Sequence, residues 1–251
     1  IFKKRKGYYE AEPTKWVKKS PFRTQPLCQH FGICGGCKLQ HLSYEGQLKF
    51  KEKGVLHNLN KIGKTKIQEI LPIVGGENPY YYRNKLEFSF SNNRWLTSEE
   101  IKSDETINRN GLGFHKQGRW DKIVDIKKCH LQEKPSNELR NAIKDFALKN
   151  KLEFFNPIKK SGLLRSLMIR NTLKKQLMVL IQFYREDKEI RENLLNYIYA
   201  KFPQINSLLY CINSKSNDSI YDQEIHVFAG QKFISEHLDG FKFKITAKSF
   251  F

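Results

Sequence analysis

Along residues 82–91 the side chains alternate in character. Tyr82, Asn84, Leu86, Phe88 and Phe90 share one parity, and Arg83, Lys85, Glu87, Ser89 and Ser91 the other. Successive strand side chains point to opposite faces, so the segment predicts a half-buried strand with one wet face. Residues 111–126, GLGFHKQGRWDKIVDI, predict a strand, a turn at Gly118 and a second strand. Strands are also predicted at Leu163–Asn171 and Gln176–Tyr184, around a turn at Thr172–Lys175. The second of these is apolar on both faces, which places it centrally in a sheet. Further strands are predicted near Ile205–Ile212, Glu224–Phe228 and Phe241–Ala247.

Three segments change to the helical period. Over Leu42–Ile62, the residues Tyr44, Leu48, Val55, Leu59 and Ile62 fall on one face, and Lys61 and Gly63 supply a basic last turn and a stop. Ser136–Asn150 has Leu139, Ile143, Phe146 and Ala147 on its apolar face, with Ser136 as the expected cap. A third helix is predicted near Lys188–Lys201. Strands and helices intermingle, so the predicted class is mixed α/β, built on a central mixed sheet. No repeat or low-complexity tract is present.

Charge is the first feature that alters this picture. The 251 residues carry 45 Lys+Arg against 26 Asp+Glu, a formal charge of +19. Residues 1–66 hold 15 of the basic residues and 4 of the acidic ones, and the opening IFKKRKGYYEAE interleaves cations with aromatics. That mixture neutralises phosphates and offers faces for base stacking, so nucleic acid is the expected partner. A solvated charge run on a chain end is the alternative. The 39% apolar share, with 18 Phe and 11 Tyr, excludes a disordered chain. No apolar run approaches the roughly 18 residues of a membrane span, and no secretory signal precedes the basic start. A cytoplasmic protein that does not engage a membrane is expected. The chain opens on Ile1 and stops on Ser249-Phe250-Phe251, straight after an alternating segment, which reads as a fragment cut at both ends.

Five cysteines carry the candidate chemistry. Cys28, Cys34 and Cys37 form C-x5-C-G-G-C, while Cys129 and Cys211 lie far downstream. Without a secretory signal the thiols should stay reduced, which favours metal over disulfide. Gly32, Gly35 and Gly36 allow a tight loop that points three thiolates at one centre. Nearby cations such as Lys38 would favour the thiolate. Structural zinc usually pairs two short knuckles, and the bacterial ferredoxin spacing is different again. A compact triad closed by one remote Cys suits a [4Fe–4S] cluster, with Cys129 as the fourth ligand because it ends the strand in IVDIKKC. Zinc remains the competing reading. Cys211, within LLYCIN, reads as a buried core thiol.

These motifs resemble a known family. CQHFGICGGCKLQHLSYEGQLKFK is similar to the cluster motif of the RNA uracil-C5 methyltransferases, in the 23S ribosomal RNA branch. YYRNKLEFSFS, GLGFHKQGRWDKIVDIKKC and GLLRSLMIRN resemble further family segments in the same order. The terminal KSFF resembles the start of a Ser-Phe-Phe-Gln motif, and IFKKRKGYYEAEP the last strand of a TRAM domain, a small OB-like RNA-binding barrel. The resemblance implies a TRAM remnant over 1–24, an iron–sulfur and RNA-binding central domain over 25–248, and the first residues of a catalytic domain over 249–251. The helix at 42–62 would pack on that missing domain.

The resemblance further implies that Cys28, Cys34, Cys37 and Cys129 ligate the [4Fe–4S] cluster, in a structural or RNA-organising role. It implies that Arg83 and Lys85 approach RNA and that Phe250 lies near a flipped uridine. His130 departs from the family, which often has Pro there. The implied reaction adds a cysteine thiolate to C6 of uracil. C5 then takes the methyl of S-adenosylmethionine, and a carboxylate removes the C5 proton. No substitute for these groups is evident. Gly111-Leu112-Gly113 reads as part of a hairpin, and His115, His130 and His226 lack a paired acid at interpretable spacing. The chain is thus expected to bind 23S ribosomal RNA and a cluster as a monomer, without a catalytic residue or adenosylmethionine site of its own. A stand-alone zinc- or cluster-stabilised RNA-binding module and a transfer RNA methyltransferase are the alternatives.

Overall fold

The structure is a computed structural model that describes Ile1 and residues 3–250. It forms two compact units. One comprises Ile1–Pro26 and Leu39–Gly76, and the other Leu27–Lys38 and Glu77–Phe251.

In the first unit, β1 (Lys3–Arg5) and β2 (Tyr8–Glu10) form an antiparallel hairpin around Gly7, whose φ of +90° suits glycine. The sequence reading had one strand here. Helix α1 (Tyr44–His57) begins where the Ser43 hydroxyl accepts the Gly46 N–H, and it runs into a π-helical turn at Asn58–Ile62 that Gly63 ends. Its apolar stripe is half-buried at Tyr44 and Leu48 and open beyond them. Val55, Leu59 and Ile62 are exposed, as are Phe50, Ile70, Leu71 and Val74. The 3.6 period thus marks a face that is covered at its start, where the Tyr44 hydroxyl accepts the Gly76 N–H at 2.7 Å, and open towards its end.

The second unit is built on seven strands: β3 (Lys85–Ser91), β4 (Gly111–Lys116), β5 (Arg119–Asp125), β6 (Leu164–Asn171), β7 (Leu177–Phe183), β8 (Ser207–Ile212) and β9 (His226–Gly230). Their order in the sheet is β5-β4-β3-β6-β7-β8-β9, antiparallel except for the parallel pair β7–β8. A parallel pair needs a crossover, and α4 (Lys188–Lys201) supplies it. The mixed α/β class is therefore observed. β7 is central, as its two apolar faces require. Leu177, Val179 and Ile181 join a core with Leu139 and Ile143 of α3 (Ser136–Lys149) and with Leu194, Leu195 and Ile198 of α4. Met178 and Leu180 face the other way, into a smaller core with Met168, Leu209, Cys211 and Ile234.

Ile234 belongs to a hairpin of β10 (Phe233–Leu238) and β11 (Phe241–Thr246), joined through Asp239 and Gly240, both at positive φ. β10 was not expected from the sequence, although an Asp-Gly pair between apolar runs is the usual mark of such a turn. A short helix, α2 (Ser98–Lys102), was also unexpected. Thr97 and Glu100 form a reciprocal capping box at its start.

Two local expectations are corrected. The residue ahead of α3 is Pro135, with no side-chain cap, and the Ser136 hydroxyl instead donates to Gln132 Oε1 at 2.5 Å. The strand expected from Tyr82 starts at Lys85, because residues 81–83 are drawn to another segment described below.

Candidate metal centre and RNA-facing residues

The segment Leu27–Lys38 folds against the end of β4. The Gly35 N–H donates to His115 O at 2.9 Å, and Gln117 N–H to Ile33 O at 3.3 Å. A Cβ on Gly35 would stand 2.8 Å from His115 O, so the close approach requires glycine. Gly32 takes a φ of +88° and turns the chain between Cys28 and Cys34. The Gly36 N–H donates to Cys34 Sγ at 3.4 Å.

The same loop meets the segment that follows β5. His30 Nε2 accepts the Lys127 N–H at 3.0 Å, which holds the loop beside residues 127–129. Burial and the charge of Arg140 lower the His30 pKa, and the neutral ring is the form that can accept this bond. Cys129 lies beyond the end of β5 rather than at it. Its backbone is held by Asn137 of α3. The Cys129 N–H donates to Asn137 Oδ1 at 2.8 Å, and Asn137 Nδ2 donates to Cys129 O at 2.9 Å.

The loop thereby brings Cys28, Cys34, Cys37 and Cys129 within electrostatic reach of one another. These four are the residues that could hold a metal group. No disulfide joins any of the five cysteines. Among the described residues, no three His, Cys, Asp or Glu side chains close on a single metal ion.

Cys211 stands apart, fully buried in the smaller core, as expected of a packing thiol. The expected thiolate character is corrected. Burial pushes the Cys34 thiol up to about 11 and raises Cys28 and Cys129 as well, so without metal the protonated form is favoured. Lys38 is not among the groups that oppose this. For Cys129 the opposing cation is Arg140.

The RNA-facing candidates sit close to the same segment. Tyr81 and Arg83 donate backbone N–H groups to His130 O and Leu131 O at 2.9 and 2.8 Å. Tyr81 Oη also meets His130 Nδ1 at 3.0 Å. Arg83 is exposed, with its guanidinium 5.8 Å from the Tyr82 ring centre. Lys85 pairs with Glu87 at 3.1 Å. Across the sheet Lys85 is in register with Arg170, whose guanidinium donates to the carbonyl of Ser249. Phe250, itself exposed, is thus tied to the Lys85 end of β3.

Among the other histidines, His226 lies 3.8 Å from Glu224 and stacks on Tyr210, and His130 is buried. His30, Asn137, Arg140 and Arg170 were not singled out from the sequence. Their roles depend on partners up to 97 residues away, as for His30 and Lys127.

Gly111-Leu112-Gly113 belongs to the β4–β5 hairpin, as expected. These residues lie within β4, and a Cβ on Gly113 would stand 2.7 Å from Ile126 Cγ1, so the missing side chain makes room for packing.

No family model matches the chain. Known proteins do. The similar ones are RNA methyltransferases. An "uncharacterized RNA methyltransferase" of Porphyromonas gingivalis is 45% identical over 259 residues, covering all of this chain and 55% of that protein. One from Chlorobaculum tepidum is 36% identical over 255 residues, covering all of this chain and 53% of its own length. The crystal structure of Pyrococcus abyssi tRNA (uracil-54, C5)-methyltransferase, in complex with S-adenosyl-L-homocysteine, superposes with a TM-score of 0.65. It is 28% identical and covers 94% of this chain and 49% of that one. The chain thus spans about half the length of the curated relatives it matches.

Proposed function

We propose that the chain is the RNA-binding and metal-holding part of an S-adenosylmethionine-dependent RNA uracil-C5 methyltransferase. The observation that carries this is the similarity of the whole chain to RNA methyltransferases, together with the shared backbone of a uracil-C5 enzyme. The nucleophile, the base and the adenosylmethionine site would belong to the part of the relatives that this chain does not span. The basic hairpin of the first unit would serve as a TRAM-like RNA contact, and Arg83, Lys85 and Phe250 as contacts near the target base.

Cys28, Cys34, Cys37 and Cys129 are proposed to hold a [4Fe–4S] cluster. The donor set supports this: four mutually interacting, half-buried to buried thiols, with the fifth cysteine elsewhere. A single zinc at about 2.3 Å from each sulfur would draw the sulfurs to about 3.8 Å from one another. A [4Fe–4S] cluster takes one cysteine per iron and so spaces the four sulfurs more widely. The cluster would hold the loop and the Cys129 segment together, since methyl transfer itself moves no electrons.

The cysteine motif and the TRAM-like start favour 23S ribosomal RNA as the target, and the structural neighbour keeps transfer RNA as the second reading. Anaerobic purification should give a brown protein containing iron and sulfide, with the colour lost in Cys28→Ser. A colourless protein whose single zinc is removed by EDTA would instead support the zinc module. Binding of the chain to 23S ribosomal RNA fragments and to transfer RNA, compared across salt concentrations, separates the two targets. Equal affinity for both would remove the ribosomal assignment.

A further inference from the structure

Arg140 lies on α3, three residues after the Asn137 that holds Cys129, and is only 1% exposed. Its Nη1 donates to Asn137 Oδ1 at 3.0 Å, and its Nη2 to Lys127 O at 2.8 Å and Asn141 Oδ1 at 3.0 Å. The guanidinium carbon sits 5.1 Å from the Phe88 ring centre. Its Nε is buried and has no partner. Among the described residues Arg140 forms no ion pair. The nearby carboxylate of Asp125 is taken by Lys144.

A buried cation held only by neutral acceptors is costly, by several kcal/mol, unless an opposite charge lies close. Burial accordingly lowers Arg140 to about 10, with Cys129 the first of the groups that oppose the shift. His30, whose Nε2 accepts the Lys127 N–H, supplies no negative charge, since an imidazole is neutral or cationic. Asp125 and Glu138 also oppose the shift, but neither pairs directly with the guanidinium among the described residues. Four thiolates around Zn²⁺, or around an oxidised [4Fe–4S] core of charge +2, would leave a net negative centre next to it.

We propose that Arg140 is the buried counter-ion of an anionic metal–thiolate centre on Cys28, Cys34, Cys37 and Cys129, and that Asn137 couples its position to Cys129. This rests on the metal reading of the four cysteines. Within that reading it assigns two positioning residues, neither of them a metal ligand. A bound metal group would remove the unpaired charge, so part of the driving force for binding metal comes from Arg140.

The test uses the full chain, reconstituted anaerobically with iron and sulfide, as wild type, Arg140→Gln and Arg140→Lys. Iron and sulfide content of the wild type decides the cluster reading by itself. With a cluster present, Arg140→Gln should lower its reduction potential, because loss of a nearby positive charge disfavours adding an electron, and should speed its removal by a chelator. Arg140→Lys, which keeps the charge but not the fork, should stay closer to wild type in potential. Equal potentials and release rates in all three proteins would overturn the proposal, as would equal shifts in Gln and Lys. If the wild type takes zinc instead, zinc release to EDTA should be faster in Arg140→Gln than in Arg140→Lys. Uptake of neither metal by the wild type also overturns it. Should Arg140→Gln fail to fold, Asn137→Asp makes the same change of one negative unit at the site and should also lower the potential; an unshifted potential there would count against the proposal.

Discussion

Asn137 grips Cys129 by both of its backbone groups, accepting the N–H at 2.8 Å and donating to the carbonyl at 2.9 Å. One amide side chain on the first turn of α3 thereby replaces the ladder partners that Cys129 lost when β5 ended at Asp125. A buried backbone group left without a partner costs about 1–3 kcal/mol. Asn137→Ala should therefore lower the urea midpoint by an amount equivalent to about 2 kcal/mol or more, and Asn137→Leu by no less. A loss below about 0.5 kcal/mol would show that water replaces the amide.

Arg83 and Lys85 differ in what they can offer to phosphate. Lys85 is already paired with Glu87, whereas the exposed Arg83 rests near the Tyr82 ring. Arg83→Gln should reduce the slope of log affinity against log salt by about one, and Lys85→Gln by less. Equal slopes for both variants and wild type in an RNA titration would remove both residues from the interface.

Gly113 shows a glycine kept for packing. A side chain there would fall on the carbonyl of Val124 and stand 2.7 Å from Ile126 Cγ1. The clash is with backbone of the paired strand β5, which cannot move aside without breaking the ladder. Gly113→Ala should cost about 2–4 kcal/mol in chemical denaturation. Gly118, at a φ of +74° with open space around it, should pay only for its backbone conformation, about 1–2 kcal/mol on change to Ala.

Cys211 makes a pH prediction. Burial raises its thiol from an ordinary value of 9.0 to about 11. The folded protein therefore holds this proton at pH values where the unfolded chain has released it. The resulting stability is complete below about pH 9 and is lost as pH rises toward 11. It amounts to at most about 3 kcal/mol. The stability gap between wild type and Cys211→Ala should shrink over that range, and a constant gap would rule the mechanism out.

The elements that the sequence made legible are those whose burial is set along one face by neighbours close in the fold. β6, β7 and α4 match their expected spans to within a residue, because apolar side chains at period two or 3.6 met a core on the expected side. The stripe on α1 has the same period and yet is exposed at Val55, Leu59 and Ile62. Periodicity reports that a face is apolar, and the partner that covers it is a separate matter. Arg83 continues the alternation of β3 but, like Tyr81, bonds to the segment after Cys129, so the ladder begins only at Lys85.

The candidate centre divides in the same way. The sequence by itself determined that three cysteines sit in one glycine-rich loop, that the chain is strongly basic, and that Cys211 lies in an apolar run. It could suggest Cys129 as their companion. Only the tertiary structure decided what surrounds that companion: His30 holding Lys127, Asn137 holding Cys129, and Arg140 buried with no ion pair among the described residues. The reason is physical. Periodicity and loop chemistry act over a few residues, whereas the charge state of a buried site is set by whichever groups the closed sheet and α3 bring to it from across the chain.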